Sequence, residues 1–336
     1  MGRILLSFSL LLFSFTFCEA KPLTVFFIDV EGGQATLVVS PSGQTLLIDS
    51  GWSGFEGRDA DRIVAAARGA GVKRIDFLLV THYHMDHVGG VAQLAERIPI
   101  GTFIDHGASV ESGKQADELK AAYDKVQSKG RHMVAKPGEK IPIAGLDVEV
   151  VAAAGRAITA PLEGAGRANP LCAEVKPLDE DKSENSQSAG ILMRHGKFRM
   201  IDLGDLTWNK ELALVCPDNR VGKVDVYLTT HHANADSGSA AIVHALGPRV
   251  AIMNNGARKG GTPEAWQVMR TSPGLEDIWQ LHHSVEGGEE HNAPENLVAN
   301  PEEKCEGRAI KLEADEDGSF TVTNTRNGFS KRYNLR

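Results

Sequence analysis

The sequence has little cysteine: four residues in 336, none in a C-x-x-C pair. A cysteine zinc site is therefore not expected. It also lacks an excess of positive charge. Lys and Arg number 36 against 44 Asp and Glu, giving a net charge of −8. That balance speaks against sequence-independent nucleic-acid binding, which depends on phosphate neutralisation, while leaving room for a local basic groove. There is no internal repeat and no low-complexity tract, so repeat architectures drop out. After residue 20 no apolar run is long enough to span a membrane.

The one long apolar stretch is N-terminal, "MGRILLSFSLLLFSFTFCEA". Arg3 supplies a positive n-region, residues 4–17 are largely apolar, and Cys18 and Ala20 offer small residues at the −3 and −1 positions. This is the pattern of a secretory signal peptide over residues 1–20. The expectation is a mature chain of residues 21–336, secreted or periplasmic, with no membrane association after cleavage. Export into an oxidising compartment permits one disulfide among Cys172, Cys216 and Cys305 and leaves one free thiol. Spacing does not say which pair.

Short β-branched runs alternate with helical patterns. "LTVFFIDV" (23–30), "ATLVVS" (35–40), "TLLID" (45–49), "IDFLLV" (75–80) and "VDVYLTT" (224–230) read as strands. The runs 59–71, 88–98, 114–128, 237–246 and 263–270 read as helices. Residues 189–204 form a hairpin turning at His195-Gly196. Residues 155–187 have no period and read as a long loop. With no linker between its parts, the mature chain reads as one layered α/β domain.

Chemistry concentrates in "LLVTHYHMDHVGG" (78–90). His82, His84 and His87 fall within six residues, with Asp86 beside the last. The stretch follows a buried strand and precedes a helix, where α/β sites commonly form. His82 and His84 are two apart in extended chain and can point to one side, while Asp86 and His87 begin the helix. Imidazole and carboxylate suit zinc and similar ions. Asp49, Asp205 and His231-His232 also stand where predicted strands stop.

These motifs resemble the metallo-β-lactamase superfamily, and within it the ComEC-type branch, the hydrolase-like domain of DNA-uptake competence proteins. The resemblance rests on "IDVEGGQATLVVSPSGQTLLIDSG" (28–51), "THYHMDH" (81–87), "ENSQSAGILMRHGKFRMIDLGD" (184–205) and "VDVYLTTHHA" (224–233). It implies an αββα four-layer sandwich with metals at one end of two sheets. It implies that His82 and His84 hold one ion, Asp86 and His87 the other, and that Asp205 bridges them. His231 completes the second set, with His232 as the alternative. Asp49 orients the ligand loop from behind, and Asp86 and Asp49 are the candidate catalytic residues. The implied cofactor is Zn2+, in two copies, with Mn2+ or Fe as alternatives.

Two positions depart from the family pattern. Ala stands in "VEVVAAAGRAI" where a further His ligand is usual, and Thr262 precedes Pro263 where the branch has Gly-His-Pro. The first ion is then left with three protein ligands, and Ser186, Asn185 or another residue of the 155–187 loop becomes the candidate substitute.

The resemblance implies hydrolysis by a metal-activated water, with no Ser or Cys nucleophile. The expected substrates are phosphodiester or nucleotide-like, small-molecule or nucleic-acid-derived. The alternatives are a lactone, β-lactam or other ester or amide, or a degenerate member that only binds ligand. No protein partner is predicted. His106 is a rim residue suited to substrate contact or strand capping. Asn254, Asn255, Arg258 and Lys259 form a Gly-rich loop that either grips an anion or turns in solvent. His282, His283 and His291 read as surface or an adventitious metal patch.

Overall fold

The computed structural model describes residues 21–335; the signal-peptide reading of residues 1–20 lies outside them. Two nine-stranded sheets carry the fold. The first runs Ser330–Tyr333, Phe320–Asn324, Ile310–Ala314, Leu23–Phe27, Thr36–Val39, Thr45–Ile48, Ile75–Leu79, Ile100–Asp105, Arg131–Val134. The second runs Val298–Asn300, Asp277–His282, Val250–Met253, Val226–Leu228, Phe198–Asp202, Gly190–His195, Asp147–Ala153, Lys140–Ile141, with Arg156–Ala157 paired to Asp147–Ala153. Among the described residues no helix is long and apolar enough to cross a membrane.

The period-2 alternation of the strands builds the layers. Leu46 and Ile48 face the apolar cluster between the sheets, together with Val25, Leu79, Val150 and Ile191. Leu47 points the other way, into a second cluster with Ile63, Val64, Leu78 and Tyr123. Ile63 and Val64 belong to helix Arg58–Gly69, and Tyr123 to helix Lys114–Gln127. On the far side, helices Trp208–Val215, Ala240–Leu246 and Pro263–Arg270 add Leu214, Ile242, Val243 and Met269 to the central cluster. The architecture is the αββα sandwich of the metallo-β-lactamase type.

In both sheets parallel pairs sit beside the strands whose ends matter. Thr45–Ile48, Ile75–Leu79 and Ile100–Asp105 run parallel, as do Phe198–Asp202, Val226–Leu228 and Val250–Met253. Their carboxyl ends therefore open on one edge of the sandwich, and the polar loops collect there.

The helix expected over 88–98 is two short ones, Met85–Val88 and Val91–Ala95. The break falls at Gly89-Gly90, where the chain presses on backbone. A Cβ on Gly90 would lie 2.1 Å from Ser50 O, and one on Gly89 would lie 2.6 Å from Ser53 N. Closeness of the ligand loop to the 50–53 turn has taken precedence over helix continuity. Residues 155–187 are mostly irregular. Cys172 and Cys216 form the disulfide that fastens this segment to the end of helix Trp208–Val215, and Cys305 is free.

Candidate metal centre

Each candidate donor stands just past a strand. His82 follows Ile75–Leu79, Asp205 follows Phe198–Asp202, and His231-His232 follow Val226–Leu228. The ends meet through backbone bonds: Ala189 N donates to Thr81 O at 2.9 Å and His231 N to Gly204 O at 3.0 Å.

Four buried side chains converge there: Asp86, His87, Asp205 and His232. His87 Nε2 is 3.3 Å from Asp86 Oδ2, 3.2 Å from Asp205 Oδ2 and 3.2 Å from His232 Nε2. His232 Nε2 is 3.2 Å from Asp86 Oδ2 and 3.3 Å from Asp205 Oδ2. Zinc held tetrahedrally at about 2.0–2.1 Å sets its ligand atoms about 3.3–3.4 Å apart, and the five distances that involve the two imidazoles, at 3.2–3.3 Å, match that spacing. Two imidazoles and two carboxylates are also a donor set that suits the ion.

Outer hydrogen bonds aim the rings. Asp49 Oδ2 lies 2.7 Å from His87 Nδ1, and its two oxygens also accept Thr81 N–H at 2.8 Å and Thr81 Oγ1–H at 2.7 Å. His232 Nδ1 lies 3.3 Å from Asn254 O. Both rings thus place Nδ1–H on an acceptor and turn Nε2 to the group, the usual support for a metal-bound histidine. Asp49 adopts φ 60°, a left-handed conformation, while its N–H donates to Leu79 O at 2.8 Å.

The site is strongly polarised. Burial works against charge on His87, but the carboxylates of Asp205, Asp86 and Asp49 outweigh it and hold the ring well above the ordinary histidine range. Burial likewise opposes charge on Asp86 and Asp205. His87 and His232 outweigh it, with Lys259 aiding at Asp86, and both acids sit well below the usual range. At His82, burial first and then His87 push the ring well below its ordinary value.

His231 stands outside the four-donor group and His232 stands in it. Residues 231–233 all take positive φ, at 50°, 56° and 62°. This left-handed turn carries the first histidine past the group, toward Asp236 Oδ1 at 2.8 Å and Asn185 Nδ2 at 3.4 Å. It swings the second inward. The family resemblance implies His231, with His232 as the alternative, and nothing in the string marks the turn.

A second set lies beside the first. His82 Nε2 is 3.9 Å from Asp205 Oδ2, and His231 Nε2 is 3.6 Å from it. His82 Nε2, Asp205 Oδ1 and Asn185 Oδ1 are buried and have no hydrogen-bond partner among the described residues. Such a group of orphaned atoms is costly unless something satisfies it. His84 is half turned away: its ring centroid is 4.7 Å from that of His82, and its Nε2 is 3.4 Å from Glu111 Oε1. Ser186 Oγ bonds Ser183 O at 2.7 Å and takes no part.

His106 is buried against Glu184 at 2.6 Å, and Glu184 also accepts Tyr83 N–H at 3.1 Å and Val110 N–H at 2.9 Å. It braces the ligand loop rather than lining the centre. Lys259 leaves its loop to pair with Asp86 Oδ2, its ammonium 5.0 Å from the Trp52 ring. Arg258 turns out to Glu303 at 2.6 Å. His282, read as surface or an adventitious metal patch, is fully buried. Gln34 carries no chemical signal in the amino-acid string. Its Nε2 donates to Asp202 Oδ2 at 2.8 Å and its Oε1 accepts from Asn254 Nδ2 at 3.3 Å, tying the two sheets together under the centre.

Residues 28–167 match the model of the metallo-beta-lactamase superfamily. That stretch contains Asp49 and the whole 82–87 loop. Similar solved structures include YhfI, a metallo-beta-lactamase fold protein from Bacillus subtilis. It is 11% identical, with 77% of this chain and 95% of that one covered and a TM-score of 0.46. Another is Igni18, a metallo hydrolase from Ignicoccus hospitalis, 14% identical over 86% and 98% of the two chains, TM-score 0.46. A third is CmlA, a diiron β-hydroxylase from Streptomyces venezuelae, 18% identical over 76% and 47%, TM-score 0.41. No curated protein matches the chain.

Proposed function

We propose that the protein is an exported metal-dependent hydrolase of the ComEC-type branch, acting on phosphodiester or nucleotide-like substrates. Asp86, His87, Asp205 and His232 would hold one zinc ion. His82, His84 and Asp205 would hold a second, with His231 and Asn185 beside it in place of the missing histidine. Mn2+ or Fe remains the alternative occupant. A divalent ion in such a set supplies Lewis acidity and lowers the pKa of water, to about 7 in the best cases.

The observation that carries the substrate class is the Lys259 ammonium on Asp86 at the edge of the donor group. It presents a positive charge beside the reacting position in a chain that is otherwise acidic. The Trp52 ring under it restricts where it can go. An anionic substrate gains a charge-assisted contact there. Asp49 and the Asn254 carbonyl keep His87 and His232 in one tautomer, and the Gln34–Asp202 pair holds the two sheet ends together.

The same ammonium fits a carboxylate, and that keeps lactone, β-lactam or other ester and amide hydrolysis as the second reading. A panel on zinc- and manganese-loaded mature protein tests both: bis-p-nitrophenyl phosphate, single-stranded DNA, an acyl-homoserine lactone and nitrocefin. Turnover of the phosphodiesters alone supports the proposal. Turnover only of the lactone or nitrocefin selects the second reading, and metal binding without turnover selects a ligand-binding member of the fold.

A further inference from the structure

A separate convergence of donors lies behind the loop that follows strand Leu23–Phe27. Asp29, Glu31, His282 and Cys305 each place one donor atom within 4.8 Å of the others. Asp29 and Glu31 come from the first sheet's side. His282 ends strand Asp277–His282 of the second sheet, and Cys305 lies in the connection that returns to the first. Asp29 and His282 are fully buried. Cys305 is the one thiol outside the disulfide among the described residues.

We propose that Asp29, Glu31, His282 and Cys305 form an additional divalent-cation site of zinc type, distinct from the hydrolytic centre. His282 Nε2 is 2.8 Å from Asp29 Oδ1 and 3.8 Å from Glu31 Oε2. Cys305 Sγ is 3.2 Å from Asp29 Oδ2, 3.3 Å from Glu31 Oε1 and 3.9 Å from His282 Nε2. Tetrahedral zinc, with Zn–S about 2.3 Å and Zn–N or Zn–O about 2.0 Å, needs edges of about 3.3–3.5 Å. His282 meets Asp29 Oδ1 and Glu31 Oε2 whereas Cys305 meets Asp29 Oδ2 and Glu31 Oε1; with one oxygen from each carboxylate all four donor atoms lie within 4.8 Å of one another, and turning the carboxylates draws the set in around an ion. Thiolate with imidazole and carboxylate favours zinc over a hard ion such as Mg2+ or Ca2+.

Arg62 fits the loaded state. Its guanidinium holds Asp29 Oδ2 at 2.9 Å and Glu31 Oε1 at 3.1 Å. The opposite oxygens, Asp29 Oδ1 and Glu31 Oε2, approach His282, while the two that Arg62 holds are the ones beside Cys305. Two carboxylates and a thiolate carry three negative charges. Arg62 brings one positive charge and a divalent ion two, so the loaded cluster is neutral. Arg58, also near Glu31, is engaged with Asp59 at 2.6 Å. Without the ion, burial and then the Asp29 charge push the Cys305 thiol up to about 12, so it keeps its proton. Loading forms the metal–sulfur bond and releases that proton to solvent.

The ion would clamp a loop that reaches the hydrolytic centre. Glu31 is three residues from Gln34, whose N–H donates to Asp86 O at 3.0 Å. The site should therefore act on stability and on the placing of Asp86, without touching substrate.

Cobalt(II) loading of the mature full-length chain tests this independently of any turnover. Cys305 is the available thiolate, because Cys172 and Cys216 are joined. A near-ultraviolet sulfur-to-cobalt charge-transfer band should appear in the wild type and vanish in Cys305→Ser. That variant should also bind one metal equivalent less by mass spectrometry, and His282→Gln should do the same. Visible cobalt bands from the hydrolytic centre should persist in both variants. No sulfur band in a loaded, folded wild type, or unchanged metal content in Cys305→Ser, overturns the proposal. Either result leaves the hydrolase reading standing, because that rests on other residues.

Discussion

Asp49 Oδ2 and His87 Nδ1 are 2.7 Å apart, both fully buried, and the carboxylate fixes which nitrogen of the ring faces the donor group. Asp49 touches none of the four donor atoms' open sides, so its part is to position. Asp49→Asn should reduce metal affinity about 10–100-fold, the usual cost of losing such a partner, while the fold persists. Competition with a chromophoric chelator measures it. Unchanged affinity in a folded variant would remove Asp49 from the account.

The left-handed turn at 231–233 separates two neighbouring histidines. His232→Ala removes one of four converging donors and should strip the tightly held ion. His231→Ala should leave that ion in place and weaken only the second. Metal content of the two purified variants, compared under one chelator series, decides between them. If His231→Ala loses the tight ion and His232→Ala keeps it, the turn has been given the wrong consequence.

Lys259 is expected to matter for the charge of the substrate. Lys259→Met should raise KM for a phosphodiester by about 10–100-fold, the worth of a charge-assisted hydrogen bond, and change KM for an uncharged ester little. Metal content should hold or rise, since a competitor for Asp86 Oδ2 is gone. An equal loss on both substrates would point to general damage at the centre.

Glu211 gives the pH dependence. It is fully buried, and burial pushes its carboxyl up to about 7 from an ordinary 4.5, although Oε2 accepts Gly238 N–H at 2.8 Å. A raised folded pKa means that protonation favours the fold. This contribution is complete below 4.5 and is lost as pH rises through about 7. Glu211→Gln cannot ionise. It should match wild type near pH 4 and be the more stable near pH 8, by roughly 3 kcal/mol at about 1.4 kcal/mol per pKa unit. Parallel melting-temperature profiles across that range would count against it.

The amino-acid string by itself determined a good deal. Hydrophobic period and turn residues located nearly every strand around the centre, because burial on one or two faces writes itself into local sequence. The crowding of His82, His84, Asp86 and His87 pointed to a loop of candidate donors, and Asp49 and Asp205, at strand ends, are residues that the fold brings beside it. The tertiary structure alone decided the rest. The break at Gly89-Gly90 comes from backbone contact with residues 50–53, which are distant in sequence. The choice of His232 over His231 comes from three consecutive left-handed residues that no local propensity announces. Lys259 was legible as a cation on a loop, but its meeting with Asp86, 173 residues away, depends on how two sheets stack. His282 read as surface or an adventitious metal patch in a string of polar residues, and it lies buried against Asp29, 253 residues away. Period and composition report what a residue's neighbours in the chain require, whereas partners across the sandwich are set by packing, which the chain order does not carry.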